Sequence, residues 1–234
     1  MKDYGQFCPL AQAAQILCER WTIIIVRELI AGSTRYSELQ KGVPQISPSL
    51  LATRLKQLVK ANIIKKLPGK TGEYQLTQAG SELRPIVEMF GAWGHRWAKT
   101  DLKENDLDPG LLMWDMRRSV DPDIFPKSRI VVQFEYPDAP PGGKDWWLIS
   151  ENGEVDLCRE DPGMDVNLVI RCSLKAMTSV WTCQTTFDDQ VNSRNIKVLG
   201  DSKLKSHLQN WLCSSLLSKL GTYEKFPKLA WGTV

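Results

Sequence analysis

The sequence predicts an α+β protein in two parts, with a helical unit carrying one short hairpin over residues 1–98 and strands mixed with helices over 110–234. Three observations carry this. The 234 residues are 42% hydrophobic and 24% charged, which supplies apolar material for packed cores. The charge changes sign along the chain: residues 1–100 hold 14 Lys/Arg against 7 Asp/Glu, and the remainder 16 against 20. Between the two lies a polar, mostly charged stretch, 99–109, closed by Pro109, with the composition of a linker.

The first half reads as helices with one hairpin. Pro9 opens a helix whose apolar side is Leu10, Ala13, Ala14, Leu17 and Cys18, at i, i+3, i+4, i+7 and i+8. A second helix runs from about Trp21 to Ala31 and stops at Gly32-Ser33; a short third lies near Tyr36 to Gln40. Ser47 as N-cap and Pro48 at the first helical position start a fourth. Ile63 to Leu67 and Tyr74 to Leu76 are strand-like and joined by a Gly-containing tip, 68–73. A long helix from about Gln78 to Trp97 closes this half. After 110 the period changes. Leu111 to Met116 is helical, and Ile130, Val132, Phe134 and Tyr136 alternate as in a half-buried strand. Strands at 147–150, 155–158, 166–172 and 196–199 follow, in a pattern of antiparallel type. Helices at 174–181, 187–191 and 202–217 complete the α+β reading.

Several classes are excluded. No apolar run approaches the roughly 18 residues of a membrane span, and Met-Lys-Asp-Tyr-Gly has no signal-peptide core, so a cytoplasmic protein without a membrane partner is expected. Cysteines at 8, 18, 158, 172, 183 and 213, with only His95 and His207 to join them, lack zinc spacing and are expected to be reduced thiols. Gly69-Lys70-Thr71 lacks the Gly a phosphate loop needs five positions earlier, where Ile64 stands. No catalytic motif, metal site or cofactor is expected.

The fourth helix carries the functional signal. At 100° per residue, Leu51, Leu55, Leu58 and Val59 fall on one side, and Ser49, Ala52, Thr53, Lys56 and Lys60 on the other. Small hydroxyls let a backbone approach base edges, and Lys reaches guanine or phosphate. A short helix, a turn at 41–46, a capped helix and a basic-tipped hairpin follow the order of a winged helix-turn-helix, whose second helix enters the major groove. Ser47, Ser49, Thr53 and Lys56 are therefore candidate DNA contacts, with Arg35, Lys41 and Lys70 on phosphates. Arg54 points toward the buried side and serves either as a partner of Glu38 or as a phosphate ligand. Five or six phosphate contacts predict a slope of log K against log salt of roughly −5.

Residues from Cys8 to about Trp97 resemble the HxlR-type winged-helix regulators, relatives of the MarR family. The stretches that carry the likeness are Cys8-Pro9-Leu10, Arg20-Trp21-Thr22, Arg35-Tyr36-Ser37-Glu38-Leu39, Ile46-Ser47-Pro48-Ser49-Leu50-Leu51, Arg54-Leu55-Lys56-Gln57-Leu58 and Tyr74-Gln75-Leu76-Thr77. The resemblance implies a homodimeric transcription regulator on double-stranded operator DNA, paired through the first and last helices of this unit, including Phe90, Trp93 and Trp97. In parts of that family a Cys at the position of Cys8 senses oxidants or electrophiles. Cys8 also precedes Pro9 at a helix start, whose positive end favours a thiolate; an inert, packed Cys is the alternative.

Residues 110–234 resemble the sterol carrier protein-like fold. Here the carriers are 112–118 (Leu-Met-Trp-Asp-Met-Arg-Arg), Trp146-Trp147-Leu148, 154–158, 165–168 and 174–178. That likeness implies a cavity between a sheet and helices for a small apolar ligand, or a unit that extends the dimer. Trp114, Trp147, Met177 and Trp181 are the candidate lining, with plain core packing as the alternative.

Overall fold

The computed structural model describes residues 4–69, 72–98, 102–206, 208, 212 and 215–221. Its first part runs α1 (Pro9–Leu17), α2 (Thr22–Ile30), α3 (Tyr36–Gly42), α4 (Pro48–Lys60), the antiparallel hairpin β1 (Ile64–Lys66) and β2 (Tyr74–Leu76), α5 (Gln78–Ser81) and α6 (Arg84–Trp97). Ile25, Val26, Leu29, Leu39, Leu51, Leu55, Leu58 and Ile64 form its core. The expected helix from Gln78 to Trp97 is two helices. Thr77 Oγ1 accepts from the Gly80 amide and starts the first. Pro85 has no N–H to extend that helix and instead sits in the first turn of the second.

Two faces differ from expectation. None of the residues of α1 is buried: Leu10 is 76% exposed, Ala13 and Cys18 are also exposed, and the core is met by Leu17 of the expected side together with Ile16, which lies off it. Val59, expected on the buried side of α4, is also exposed, because the helix ends one residue later where no neighbour covers it among the described residues.

The second part runs α7 (Pro109–Ser119), β3 (Ile130–Glu135), β4 (Asp145–Glu151), β5 (Glu154–Cys158), β6 (Leu168–Cys172), α8 (Leu174–Trp181), α9 (Phe187–Asn192), β7 (Ile196–Gly200), α10 (Ser202–Ser206) and α11 (Leu216–Gly221). The strands form one sheet in the order β5-β4-β3-β6-β7. This sheet is mixed, since β6 runs parallel to β3 while the other neighbours are antiparallel. Side chains alternate with a period of two whatever the neighbour's direction, so the sequence pattern did not distinguish the two cases. Leu112, Met113 and Met116 of α7, with Leu174 and Met177 of α8, cover the face presented by Val132, Phe134, Leu148, Leu168 and Ile170. The end of the expected linker belongs to this part: Asp108 Oδ1 caps α7 by accepting from the Leu111 amide at 3.0 Å, and Leu107 packs on the core.

The two parts touch. Helix α3 lies along α7, and α11 packs on α6, where Leu217 comes so near Gly91 that an added Cβ would stand 3.0 Å from it.

Candidate nucleic-acid interface

Local chemistry fixes the angle between α3 and α4. Tyr36 Oη donates to the Pro48 carbonyl at 2.9 Å, and Gln40 Nε2 to the Ile46 carbonyl at 3.0 Å, so both hydrogen bonds span the turn. Ser47 Oγ accepts from the Leu50 amide and caps α4. With Leu51, Leu55 and Leu58 buried, Ser49, Thr53 and Lys56 are turned outward and exposed, as is Lys60. Ser47 Oγ stands 3.3 Å from Ser49 Oγ, and Thr53 Oγ1 donates to the Ser49 carbonyl at 2.9 Å. The Thr53 hydroxyl thus directs its proton at its own helix and offers lone pairs and a methyl group outward.

The hairpin is tied to the start of α3. Tyr74 donates its amide to the Thr34 carbonyl, Tyr36 donates to the Gly72 carbonyl, and Arg35 Nε lies 3.5 Å from Glu73 Oε1. Arg35 and Lys41 are exposed at the two ends of α3, while Lys70 lies outside the described residues. Arg54 is a structural residue, but not through Glu38. Its Nη2 pairs with Glu19 Oε2 at 2.9 Å, Nε donates to the Arg20 carbonyl and Nη1 to Gln57, which ties α4 to the α1–α2 turn. Glu38 instead accepts from the Thr34 and Arg35 amides and caps α3.

A charged cluster missed by sequence reasoning joins the two parts behind this surface. Glu28 is fully buried and accepts from Arg27 Nε and Nη2 and from Arg118 Nη1 and Nη2, the shortest contacts being 2.6 Å. Arg118 also holds Asp115, which accepts from Trp181 Nε1 at 2.7 Å. Burial pulls the Arg118 pKa down, but the hydrogen bonds and charges of Glu28 and Asp115 outweigh it and leave it raised. Gly42 makes the approach possible, because a Cβ there would stand 1.8 Å from Glu28 Oε2. A lone acid within Ile23-Ile24-Ile25-Val26-Arg27-Glu28-Leu29-Ile30 was the available signal.

Between α3 and α7 lies a cleft of about 640 Å³. Of the four expected lining residues only Trp114 borders it. Met177 is fully buried in the sheet–helix core, and Trp181 is held there by Asp115. Alternation along β4 puts Trp147 on the opposite side of the sheet from Trp146 and Leu148, which do belong to that core. Arg35 and Lys41 line the cleft as well. Cys8 is half-buried at the N-cap of α1. By contrast, burial and the Asp138 charge push the Cys172 thiol up to about 12, which leaves it a poor nucleophile. Among the described residues no cluster of His, Cys, Asp and Glu could hold a metal, and no helix is long and apolar enough to cross a membrane.

Known proteins match this region. The family model described as HxlR-like helix-turn-helix matches residues 16–102. The HTH-type transcriptional regulator YvaP of Bacillus subtilis (strain 168) is 37% identical over 101 residues, 41% of this chain and 93% of that protein. YodB of the same organism is 31% identical over 97 residues, covering 39% of this chain and 87% of YodB. A crystal structure of quinone-bound YodB overlays on 39% of this chain and 100% of that one, at 30% identity and a TM-score of 0.35. On the extent of the likeness to YvaP, the chain belongs to the HxlR-like family of helix-turn-helix transcriptional regulators, a DNA-binding protein and not an enzyme.

Proposed function

We propose that this regulator binds a pseudo-palindromic operator as a homodimer, with residues 1–98 as the DNA-binding domain, 99–109 as a linker and 110–234 as a sterol carrier protein-like domain that senses a small ligand or extends the dimer. The outward stripe of α4 carries the reading. Ser49, Thr53 and Lys56 are exposed on a helix whose opposite side is buried, and the capped turn before it is locked by side chains of α3. Laid in the major groove, Thr53 accepts from an adenine or cytosine amino group or meets a thymine methyl, while Lys56 reaches guanine or phosphate. Ser47, Arg35, Lys41 and Lys70 hold the backbone on either side. Arg54 takes no part, being occupied within the protein.

Pairing is supported by an apolar stripe on α6: Ile86, Phe90, Trp93 and Trp97, each more than half exposed, with Leu10 and Phe7 exposed at α1. Two copies meeting there would set the recognition helices about one duplex turn, roughly 34 Å, apart. A gel shift on promoter DNA across a salt series tests the reading. Thr53→Ala is expected to reduce specific over non-specific binding by about 1 kcal/mol or more, while Lys70→Ala weakens both alike and flattens the salt slope by about 0.9. Equal losses from the two substitutions contradict the groove assignment.

A second reading is electrophile sensing by Cys8, favoured by its half-exposed place at the N-cap of α1. An unchanged oxidant response in Cys8→Ser removes it.

A further inference from the structure

The cleft between α3 and α7 is floored by aromatic rings that carry cations on their faces. Lys41 Nζ lies 4.9 Å and Arg117 Cζ 5.3 Å from the centre of the Trp114 ring, and Arg159 Cζ lies 5.3 Å from that of Trp146. The acids on the cleft wall are engaged elsewhere. Glu38 accepts from the Thr34 and Arg35 amides, Asp108 from Leu111, and Asp156 from Leu157. The cations therefore rest mainly on rings: among the described residues no acid pairs with Lys41, and Arg117 makes only a long ion pair, Nε to Asp156 Oδ1 at 4.0 Å. Two buried donors lack a hydrogen-bond acceptor among the described residues, Arg117 Nε and the indole N–H of Trp114, a residue only 6% exposed. Buried donors are nearly always paired, by protein, water or ligand.

We propose that this cleft binds a small acid with a flat apolar body, its carboxylate answering Arg117, Lys41 and the Trp114 indole N–H, and its ring lying against Trp114 and Trp146. This names the ligand class of the sensing role proposed above, and moves its site from the interior of the second domain to the seam between the two. The chemistry fits on each count. Planar guanidinium groups bind carboxylates in a fork, and cations on an indole face already mark that surface as one that takes charged and flat groups. The volume suits a ligand of that size, and hydrophobic walls are present in Leu107, Leu157 and Pro140. An uncharged apolar molecule would leave both orphan donors unpaired.

Calorimetric titration of the full chain with 2-naphthoate, and with 2-naphthamide as its uncharged analogue, tests the proposal without DNA. One naphthoate per chain is expected, with the amide at least about tenfold weaker. Arg117→Gln should weaken naphthoate by a similar factor, and Trp114→Phe, which keeps the ring and removes the donor, should weaken it less. Lys41→Gln, at an exposed residue that also answers the carboxylate, serves in place of Arg117→Gln if that variant melts early by circular dichroism. Equal affinity for acid and amide, no binding at millimolar naphthoate, or folded variants that bind as the wild type does would each overturn it. Failure of the DNA reading shows separately, in the gel shift without probe.

Discussion

Glu28 illustrates how one side chain can hold two distant helices, α2 and α7, together. Its carboxylate accepts four hydrogen bonds from two guanidinium groups, one from the preceding residue and one ninety positions along. Removing one member of a buried ionic cluster leaves the others uncompensated, so Glu28→Ala is expected to destabilise the fold by about 3 kcal/mol in urea unfolding. Glu19→Ala is the comparison. It also frees an arginine, Arg54, but Glu19 is about one-third exposed, and the loss there should be under about 1 kcal/mol. Similar losses from the two substitutions would show that Glu28 is not the anchor. At this scale the sequence was only partly legible. Helical spacing was enough to place Thr53 and Lys56 outward and to bring Arg54 in, since it depends on one helix alone. It misassigned the partner of Arg54, and it passed over Glu28, because a side chain's partner is decided by which elements tertiary packing brings alongside it.

Elements with their own start and stop chemistry were the legible ones. Helix α4 begins at Pro48 behind its Ser47 cap, the β1–β2 hairpin closes around its turn, and α8 spans Leu174 to Trp181 as its apolar pattern indicates. The break between α5 and α6 was missed because the apolar periodicity runs on through Pro85, whereas that proline, with no N–H to extend α5, sits in the first turn of α6 and decides it. Helix α1 teaches the complementary point: the spacing finds an apolar side, but Leu10, Ala13 and Cys18 of that side are exposed in the chain, and spacing alone does not say what covers them. Ile86, Phe90, Trp93 and Trp97 on α6, at i, i+4, i+7 and i+11, are apolar and exposed in the same way. A large exposed apolar stripe marks an association surface in a monomer's structure. Trp93→Glu is therefore expected to convert a dimer into a monomer in sedimentation analysis while leaving the circular dichroism spectrum unchanged, as the residue is 53% exposed in the isolated chain. A wild-type chain that sediments as a monomer would reject the pairing.

At the scale of the whole molecule, the change in charge and period accompanies two separate apolar clusters, but the seam between them has no such signal. Three features meet there: the Glu28–Arg118 cluster, the packing of α11 on α6, and the cleft. Beyond the lone acid Glu28 in its apolar run, none has a signature in local sequence, because each joins residues far apart in the chain. The seam also connects the proposed ligand to the proposed DNA contacts, since Arg35 and Lys41 both border the cleft and stand at the two ends of α3, the helix that precedes the recognition helix. A carboxylate held by Lys41 competes with a phosphate for the same ammonium group. Bound acid should then remove one or two phosphate contacts and make the slope of log K against log salt shallower by about 1 to 2. Linkage fixes the reverse effect: operator DNA must weaken naphthoate binding by the same factor by which naphthoate weakens DNA binding. Fluorescence anisotropy of labelled operator at several salt concentrations, with and without saturating 2-naphthoate, measures one side of this cycle, and calorimetry on the preformed complex measures the other. Parallel salt lines would mean that the ligand leaves the phosphate contacts intact. Any coupling would then run through the α3–α7 packing, by differential affinity for two arrangements of the domains.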